Sequence, residues 1–293
     1  MDAAIAKRHH LLDEQTDALR LVDGNGDGAP GVILETFADR WLVSTTGAKL
    51  PDEVHSWLAS QGKPTYWKRL DQHLKESPTH LCGPEQREPF LAKENGVAFE
   101  ISFQSGYSQG IFLDQRDNRA EVMRRMSEGQ TLLNTFAYTG VFSSCAAKAG
   151  AITTTLDLSQ PYLDWAKRNL EHNGIDPADH YFCKGDTFHW LKRFAKQGRQ
   201  FDGIILDPPT FSRDDKGKVF RVEKNYDELA ALAAKCMAPG GWMLCCTNFR
   251  GQSPSEFEQL ACSKLPRPMQ SGHAPMPEEY TDSSYLKSLW LEG

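Results

Sequence analysis

Three features are missing from this chain, and each absence excludes a class of protein. No apolar run approaches the roughly 20 residues needed to span a bilayer, and the stretch from Met1 to His10 lacks the apolar core of a signal peptide. The seven cysteines are an odd number and form no Cys-x-x-Cys pair. Neither a disulfide framework nor a zinc knuckle is therefore expected. These absences predict a cytoplasmic protein with reduced thiols and no membrane association.

The net charge of the chain argues against one further class of protein. A net charge of −6 argues against a protein that coats nucleic acid through bulk electrostatics. Between Lys184 and Lys224 the balance reverses, with ten Lys or Arg against six acidic residues. The sequence therefore leaves room for a local basic face that contacts RNA.

One glycine-rich segment matches only the first half of a calcium loop. It runs from Asp23 to Gly28, but the twelfth position from Asp23 is Leu34 instead of the bidentate Glu that such a loop requires. Glu35 falls one place late. A loop joining two strands is the better interpretation, and no metal site is predicted.

The length of 293 residues exceeds a usual single domain, so two domains are expected. Residues 1–92 contain antiparallel strand patterns, a helix pattern over 50–61 and a stiff proline-rich segment over 76–89. They predict a small N-terminal α+β domain, expected to bind the RNA substrate. Residues 93–293 form the second predicted domain.

Strands and helices alternate in the second domain. The predicted strands are 131–136, 152–157, 181–185, 201–206 and 242–246, and the helices between them are 142–149, 161–173, 188–195 and 226–237. This alternation predicts a mostly parallel sheet with right-handed crossovers.

The segment after the fourth of these strands is the most informative in the chain. The strand 201–206 delivers Asp207, Pro208 and Pro209 to its carboxyl end, followed by Thr210 and Phe211. Open α/β sheets place their chemistry at this edge. Because two prolines fix φ and remove two backbone donors, the rim is rigid. A rigid Asp-Pro-Pro rim suits a site that grips a flat base beside a cofactor.

Asp157, Asp186 and Asp207 follow three of the predicted strands, so their carboxylates should converge on one edge. An acid after the second strand suits a ribose diol, which implies a cofactor that contains adenosine. The first βα turn, residues 136–142, has one glycine, whereas a pyrophosphate needs Gly-x-Gly-x-x-Gly. S-adenosylmethionine has no phosphate, so it fits this turn better than a dinucleotide.

The motifs resemble those of the class I methyltransferases that modify bases of bacterial large-subunit (23S) ribosomal RNA, of the 5-methylcytosine and 7-methylguanine types. The resemblance lies in residues 134–140, 156–159, 185–186 and 207–209, and most specifically in residues 110–119. It implies an α/β fold with a Rossmann-like, mostly parallel sheet of seven strands. It also implies S-adenosylmethionine as the cofactor and 23S ribosomal RNA as the partner.

The chain departs from many of these relatives at its start. They begin with a small RNA-binding domain of the PUA type, and the likeness here begins near Thr16, which leaves no room for it. We therefore expect this domain to be lacking. The oligomeric state, including a homodimer, stays open.

The resemblance also implies roles for individual residues. Asp157 would hold the ribose, Asp186 the adenine amino group, and residues 138–140 the methionine end of the cofactor. Asp207 would sit between methyl donor and target base as a catalytic residue. The implied cofactor-binding residues are Gln115, Arg116, Tyr138, Thr139, Gly140, Asp157, Ser159, Asp186 and Asp207, and the implied substrate-binding residues are Pro208, Pro209, Thr210 and Phe211.

The target atom depends on Cys246, the second candidate catalytic residue. Methylation of cytosine C5 requires covalent addition of a thiolate to the ring, and relatives with that activity carry a Thr-Cys pair where Cys245 and Cys246 stand. Relatives that resemble a guanine-N7 methyltransferase share residues 207–212 with this chain. N7 is already a nucleophile, so orientation suffices there. The sequence favours guanine N7 slightly over cytosine C5.

Two other functions stay open at this point. The acidic net charge and the expected lack of a PUA domain also fit a methyltransferase of a small molecule or protein. A non-catalytic RNA-binding assembly factor that keeps the cofactor fold is the third alternative. The Asp-Pro-Pro rim argues against it, because a mere binder has no need of a rigid acidic rim.

Overall fold

The computed structural model describes residues 1–71, 76–213 and 219–293, and the chain divides into two compact units. The first unit is Met1–Arg116 with Pro277–Ser284, and the second is Asp117–Met276 with Tyr285–Gly293. This division lies beyond the boundary at residue 92 that the sequence predicted, because the segment after it is hydrogen-bonded to the N-terminal part. Asp17 N–H donates to the Lys93 carbonyl at 3.0 Å. The RNA-binding role of the N-terminal domain stays a prediction.

The first unit is built on a five-stranded sheet in the order β1-β2-β3-β4-β5, in which only β3 and β4 run parallel. Its elements are α1 (Asp2–Arg8), β1 (Ala18–Asp23), β2 (Val32–Phe37), β3 (Arg40–Thr45), α2 (Asp52–Ser60), β4 (Thr65–Arg69), β5 (Thr79–Cys82) and the hairpin of β6 (Phe90–Glu94) with β7 (Val97–Ile101). Its apolar core joins Ala4 of α1 and Leu58 of α2 to Leu19 and Leu34 of the sheet.

The second unit begins within α3 (Arg116–Arg125) and contains the larger sheet. Its further elements are β8 (Thr131–Thr135), α4 (Val141–Lys148), β9 (Ile152–Asp157), α5 (Gln160–Glu171), β10 (Tyr181–Lys184), α6 (Thr187–Lys196), β11 (Phe201–Leu206), β12 (Phe211–Arg213), β13 (Val219–Arg221), α7 (Val222–Ala234), β14 (Met237–Thr247), α8 (Pro254–Cys262), β15 (Gln270–Ala274) and β16 (Lys287–Glu292). The order of the seven strands is β10-β9-β8-β11-β14-β16-β15. Strands β8 to β11 and β14 are parallel, and β16 pairs antiparallel with both β14 and β15. The prediction of a mostly parallel seven-stranded sheet is confirmed.

The two faces of this sheet carry separate apolar layers, because side chains alternate along each strand. On one face, Cys245 packs with Leu191 of α6, Tyr226 of α7 and Phe257 of α8. On the other, Cys246 belongs to the layer that contains residues of α3 and α4. Helices on both faces of a largely parallel sheet leave its carboxyl edge as the place for a site.

The structure differs from the sequence-based prediction around β14. The predicted helix over 226–237 spans Val222–Ala234 instead, and the fifth strand begins at Met237. Phe201 of β11 pairs with Met237, and the register then shifts before Gly203 pairs with Trp242. Pro239, Gly240 and Gly241, which lie between the predicted helix and the predicted strand, therefore belong to an irregular stretch of β14. Among the helices of the described ranges, none combines the length and apolarity needed to cross a membrane.

Candidate active site

The strand register brings the three predicted carboxylates to one edge of the large sheet. Thr135 of β8 is paired with Leu156 of β9 and with Leu206 of β11, so Asp157 and Asp207 both lie one residue beyond that level. They follow strands that lie two places apart in the sheet, which separates their backbones by roughly 10 Å. Asp157 is also paired with Lys184 of β10, two residues before Asp186. The predicted convergence of the three acids on one edge agrees with this register.

The turn between β8 and α4 has an unusual backbone. Phe136 and Tyr138 have φ of +53° and +50°, and Gly140 has φ of +71°. Non-glycine residues in this left-handed region are uncommon, and a bulky aromatic there carries strain. Backbone bonds hold the turn, since Ala137 N–H donates to the Leu156 carbonyl at 3.1 Å and Gly140 N–H to the Ala137 carbonyl at 2.8 Å. Strained turns of this kind are typical of ligand sites.

Asp157 connects this turn to the loop after β9. Its Oδ2 accepts the backbone N–H of Tyr138 at 2.9 Å, and its Oδ1 accepts the N–H of Ser159 at 2.8 Å. Burial raises the pKa of the Asp157 carboxyl, against the opposing effect of the N–H groups that it accepts. The backbone N–H of Leu158 is a third donor to this carboxylate, and the acceptor capacity that the three N–H groups leave is available to a further donor. This arrangement fits a ribose diol, which presents two hydroxyls to one carboxylate.

Close packing fixes the end of the turn. A Cβ on Gly140 would lie 2.5 Å from the Cβ of Ala166 on α5, so this position requires glycine for space as well as for φ. Asn169 of α5 donates from Nδ2 to the Thr139 carbonyl at 2.9 Å. The side chain of Thr139 is fully buried, so in this conformation its hydroxyl presents no surface to a ligand. The predicted contact of Thr139 with the methionine end stays a prediction.

Tyr138 and Asp186 flank Asp157 on either side. The ring of half-buried Tyr138 meets the ring of Tyr162 edge to face, with centroids 4.6 Å apart, which holds the ring in place. Asp186 caps α6, because its Oδ1 accepts the N–H of His189 at 2.8 Å. Gly185 N–H donates to the Asp157 carbonyl at 2.9 Å, which ties the two loops together. The predicted contact of Asp186 with adenine stays a prediction.

A buried hydrogen bond fixes the end of β11 directly before the Asp-Pro-Pro rim. The hydroxyl of buried Tyr226 donates to the Leu206 carbonyl at 2.8 Å, directly before the partly exposed Asp207. Pro208 is buried and Pro209 is exposed. Beyond them, β12 and β13 pair as a short antiparallel hairpin.

Two further residues of the rim follow the prolines, partly buried Thr210 and exposed Phe211. Phe211 keeps 48% of its surface exposed, and Thr210 accepts the Val222 N–H on its carbonyl at 3.2 Å. The rim therefore combines a carboxylate with a partly exposed aromatic ring. The predicted contact of Pro208, Pro209, Thr210 and Phe211 with a base stays a prediction. Residues 214–218, part of the basic stretch noted in the sequence, lie outside the described residues.

Cys246 of β14 lies at the same height along the strands as Asp207, but its side chain is covered on one face of the sheet. Its side chain is fully buried, and its Sγ lies 4.0 Å from the Oγ of Ser288 on the neighbouring β16. Cys245 is buried on the other face, where burial raises the pKa of its thiol far above the ordinary value. In this conformation neither thiol is accessible from the rim.

Gln115 and Arg116 belong to the first compact unit. Both are buried, and Arg116 donates from Nη2 to Oε2 of Glu279 at 3.0 Å. This ion pair joins Arg116 to the segment Pro277–Ser284 of the same unit. Their predicted place at the border of the cofactor pocket stays a prediction.

Sequence reasoning missed the polar residues that support the site. Beneath the turn, Asn134 Nδ2 donates to Ser143 Oγ at 3.0 Å, and Thr155 Oγ1 donates to the same oxygen at 2.8 Å. All three residues are buried. An Asn within an apolar strand was the available signal, because a buried amide needs a partner. Asn169 and Tyr226 lie on helices and carried no such signal.

Comparison with known proteins identifies the family to which the chain belongs. The sequence model of the S-adenosylmethionine-dependent methyltransferase family matches residues 45–274. The chain belongs to this family, and the prediction of S-adenosylmethionine as its cofactor is confirmed. The residues present fit that cofactor, since the buried Asp157 carboxylate is a hydrogen-bond acceptor at the sheet edge and the adjoining turn lacks the glycine-rich loop that a pyrophosphate needs.

The relatives include proteins with an RNA substrate in their names. "Ribosomal RNA large subunit methyltransferase I" of Aeromonas salmonicida is 31% identical over 92% of this chain and 73% of its own length. "Ribosomal RNA large subunit methyltransferase" of Deinococcus radiodurans is 30% identical over 100% of this chain and 78% of its own length. A crystal structure of a protein assigned as a methyltransferase, complexed with SAH, superposes with a TM-score of 0.91 at 28% identity, over 100% of this chain and 80% of the other.

The first prediction concerns Asp157. Asp157→Asn should weaken S-adenosylmethionine binding about 10- to 100-fold, because a hydrogen bond to a charged acceptor contributes about 1.5–3 kcal/mol. Titration calorimetry measures the affinity. Asp202→Asn is the matched control, since Asp202 accepts two bonds from Thr131 at the opposite edge of the same sheet. Equal losses in both variants would contradict the assignment.

The same carboxylate predicts a pH dependence. The ribose diol donates to the ionised form, so affinity is complete above the pKa of Asp157 and falls as the pH drops through it. Because burial raises this pKa, the fall should begin at a higher pH than the ordinary value of 3.8 allows. Calorimetry at a series of pH values should show this loss of cofactor affinity at low pH in the wild type. If Asp157→Asn shows the same loss, another group causes it.

The second prediction separates close packing from backbone strain. Gly140→Ala and Gly174→Ala both place alanine at positive φ, +71° and +72°, but a Cβ on Gly174 meets nothing within 4 Å. Both should lose about 1 kcal/mol of unfolding free energy from φ strain, and Gly140→Ala about 1–3 kcal/mol more from overpacking against Ala166. Chemical denaturation measures both. Equal destabilisation would show that the contact between the turn and α5 is not tight.

Proposed function

We propose that this methyltransferase acts on a base of large-subunit (23S) ribosomal RNA and that its target atom is guanine N7. The RNA part rests on the relatives named as ribosomal RNA large subunit methyltransferases, which align with 92% to 100% of this chain. The choice of atom rests mainly on one observation, the complete burial of Cys246.

Burial of Cys246 disfavours a covalent mechanism. Methylation at C5 needs a thiolate within bonding distance of the ring carbon next to the target. The Cys246 side chain instead lies in the apolar layer with Trp242 and Phe142, against Ser288. Reaching a base would require the end of β14 to separate from β16, with the loss of the ladder bonds between them. A guanine N7 reaction needs no thiol and leaves the strand intact.

The rim supplies what an N7 reaction does need. N7 carries its own lone pair, so the protein must hold the base in line with the methyl donor. The exposed ring of Phe211 offers a flat surface on which a base can stack. Methylation at N7 leaves the guanine with a positive charge, and the partly exposed carboxylate of Asp207 can stabilise that charge as it develops. S-adenosylmethionine supplies the activated methyl group when it is bound.

The third prediction tests the thiol. Cys246→Ala should keep kcat for methylation of deproteinised 23S ribosomal RNA within about twofold of wild type, apart from a modest loss of stability from the small cavity. Cys245→Ala is the matched control, since it is an equally buried neighbour on the opposite face. The readout is transfer of a radiolabelled methyl group. A loss of several orders of magnitude in Cys246→Ala alone would favour cytosine C5.

The fourth prediction concerns Asp207. Asp207→Asn should lower kcat roughly 100-fold, because it removes a preorganised charge next to the reacting base. The variant keeps the size of the side chain and the Tyr226 anchor of the strand end. Single-turnover methylation at saturating RNA and cofactor measures the effect. An unchanged single-turnover rate would remove Asp207 from the chemical step.

A further inference from the structure

We infer that one flank of the second unit is a docking surface for single-stranded ribosomal RNA. This β10-edge surface consists of Tyr181, Lys184, Trp190, Arg193 and Lys196. It lies on β10, the outermost strand at one side of the large sheet, and on α6, which follows it. The inference rests on the proposed RNA substrate and adds the place at which the protein binds that RNA outside the reaction centre.

The charge of this segment is opposite to that of the whole chain. Residues 181–200 carry five Lys or Arg and one acid, whereas the net charge of the protein is −6. Helix α6 has no acidic residue between Thr187 and Lys196, so its cations lack the i,i+4 partners of an ordinary solvated helix. Lys192 lies 3.9 Å from Glu228.

The other cations of the surface are available to a ligand. Lys184, Arg193 and Lys196 are exposed, and no ion pair with them is recorded within the described ranges. An exposed cation that forms no ion pair within the protein can contact an RNA phosphate. These three positions therefore form the electrostatic part of the surface.

An exposed aromatic ring accompanies these cations. Tyr181 keeps 55% of its surface exposed, and the guanidinium of Arg199 lies 4.9 Å from the centre of its ring. Arg199 is itself fixed, since its Nη2 donates to Thr154 Oγ1 at 2.7 Å and it also lies 4.9 Å from the ring of Phe201. Tyr181 is thus held on a rigid support while much of its surface meets solvent.

A second ring lies nearer the carboxyl edge of the sheet. Trp190 donates from Nε1 to the Lys184 carbonyl at 3.1 Å, and the guanidinium of Arg193 lies 4.9 Å from its ring centre. Aromatic rings interleaved with cations are typical of surfaces that bind single-stranded nucleic acid, where rings stack on bases and cations contact phosphates.

The position of the surface connects it to the reaction. Lys184 is paired in register with Asp157, so the surface begins at the carboxyl edge of the sheet that carries the site. Tyr181 lies three residues earlier on the same strand, about 10 Å away. An RNA strand that lies along β10 can therefore reach the methylation site within a few nucleotides. Single-stranded RNA fits better than a duplex, because stacking on Tyr181 needs an unpaired base.

The fifth prediction reverses two charges of the surface. Arg193→Glu/Lys196→Glu should raise KM for deproteinised 23S ribosomal RNA at least tenfold, with kcat and the Kd of S-adenosylmethionine within about twofold of wild type. It should also reduce the slope of log Kd for the RNA against log salt concentration by about one to two, the expectation for two lost phosphate contacts. Filter binding across salt concentrations and steady-state methylation measure these quantities.

The matched control is Lys148→Glu/Lys235→Glu. Lys148 lies in the last turn of α4 and Lys235 at the end of α7, so the change in charge and the cost at the helix ends are the same. Both control residues are exposed. This pair should leave the RNA KM within about twofold of wild type.

Substitution of Tyr181 tests the stacking part separately. Tyr181→Ala should weaken RNA binding about tenfold, because a base loses its stacking partner. Tyr181→Phe should retain wild-type affinity, since stacking uses the ring and not the hydroxyl. Loss of affinity in both variants would contradict stacking and indicate a contact of the hydroxyl.

The outcomes distinguish this inference from the proposed function. A wild-type enzyme that binds S-adenosylmethionine but does not methylate 23S ribosomal RNA overturns the proposed substrate and the surface assigned to it. A wild type that methylates this RNA, with equal KM values for the Arg193/Lys196 and Lys148/Lys235 variants, overturns the surface alone. A selective rise in KM for the first pair, together with the reduced salt slope, supports it.

Discussion

The carboxylate of Asp157 is the interaction on which the site depends. It accepts the N–H of Tyr138 from the turn after β8 and the N–H of Ser159 from the loop after β9, so a single side chain joins two neighbouring loops at the edge of the sheet. The strained backbone at Phe136 and Tyr138 persists because such bonds hold it. The backbone donors offset only part of the cost of burying this carboxylate, since burial still raises its pKa. Its remaining acceptor capacity is the part predicted to hold the cofactor ribose.

The strand register places the residue proposed for the cofactor and the residue proposed for the base on opposite sides of β8. Asp157 lies on one side of β8 and Asp207 on the other, roughly 10 Å apart, so cofactor and base can meet over the strained turn. Tyr226 fixes the strand end before Asp207, and Cys246 is buried. In the proposed N7 reaction the chemistry depends on orientation and charge and does not use this thiol. Basic residues on the β10 flank would then supply affinity for RNA that an acidic protein lacks overall.

Local patterns predicted much of this fold. Strands 152–157 and 201–206 have the predicted bounds, because short apolar runs between turn signals are local features. The resemblance implied seven strands, but the positions of β15 and β16 were not predicted. β15 is exposed and lacks an apolar pattern, and both strands depend on pairing between distant segments. The boundary at residue 92 differs from the division at Arg116 because distant bonds, such as that from Asp17 to Lys93, place the hairpin in the first unit. Burial of Thr139 and Cys246 depends on tertiary packing, which single-residue chemistry does not reveal.

A crystal structure of this protein with S-adenosylhomocysteine tests the central claim most directly. The account predicts both ribose hydroxyls within hydrogen-bond distance of the Asp157 carboxylate, about 2.5–3.0 Å, while the bonds from Tyr138 and Ser159 to that carboxylate remain in place. A ribose bound elsewhere, or a turn that releases Asp157 when the ligand binds, would contradict it.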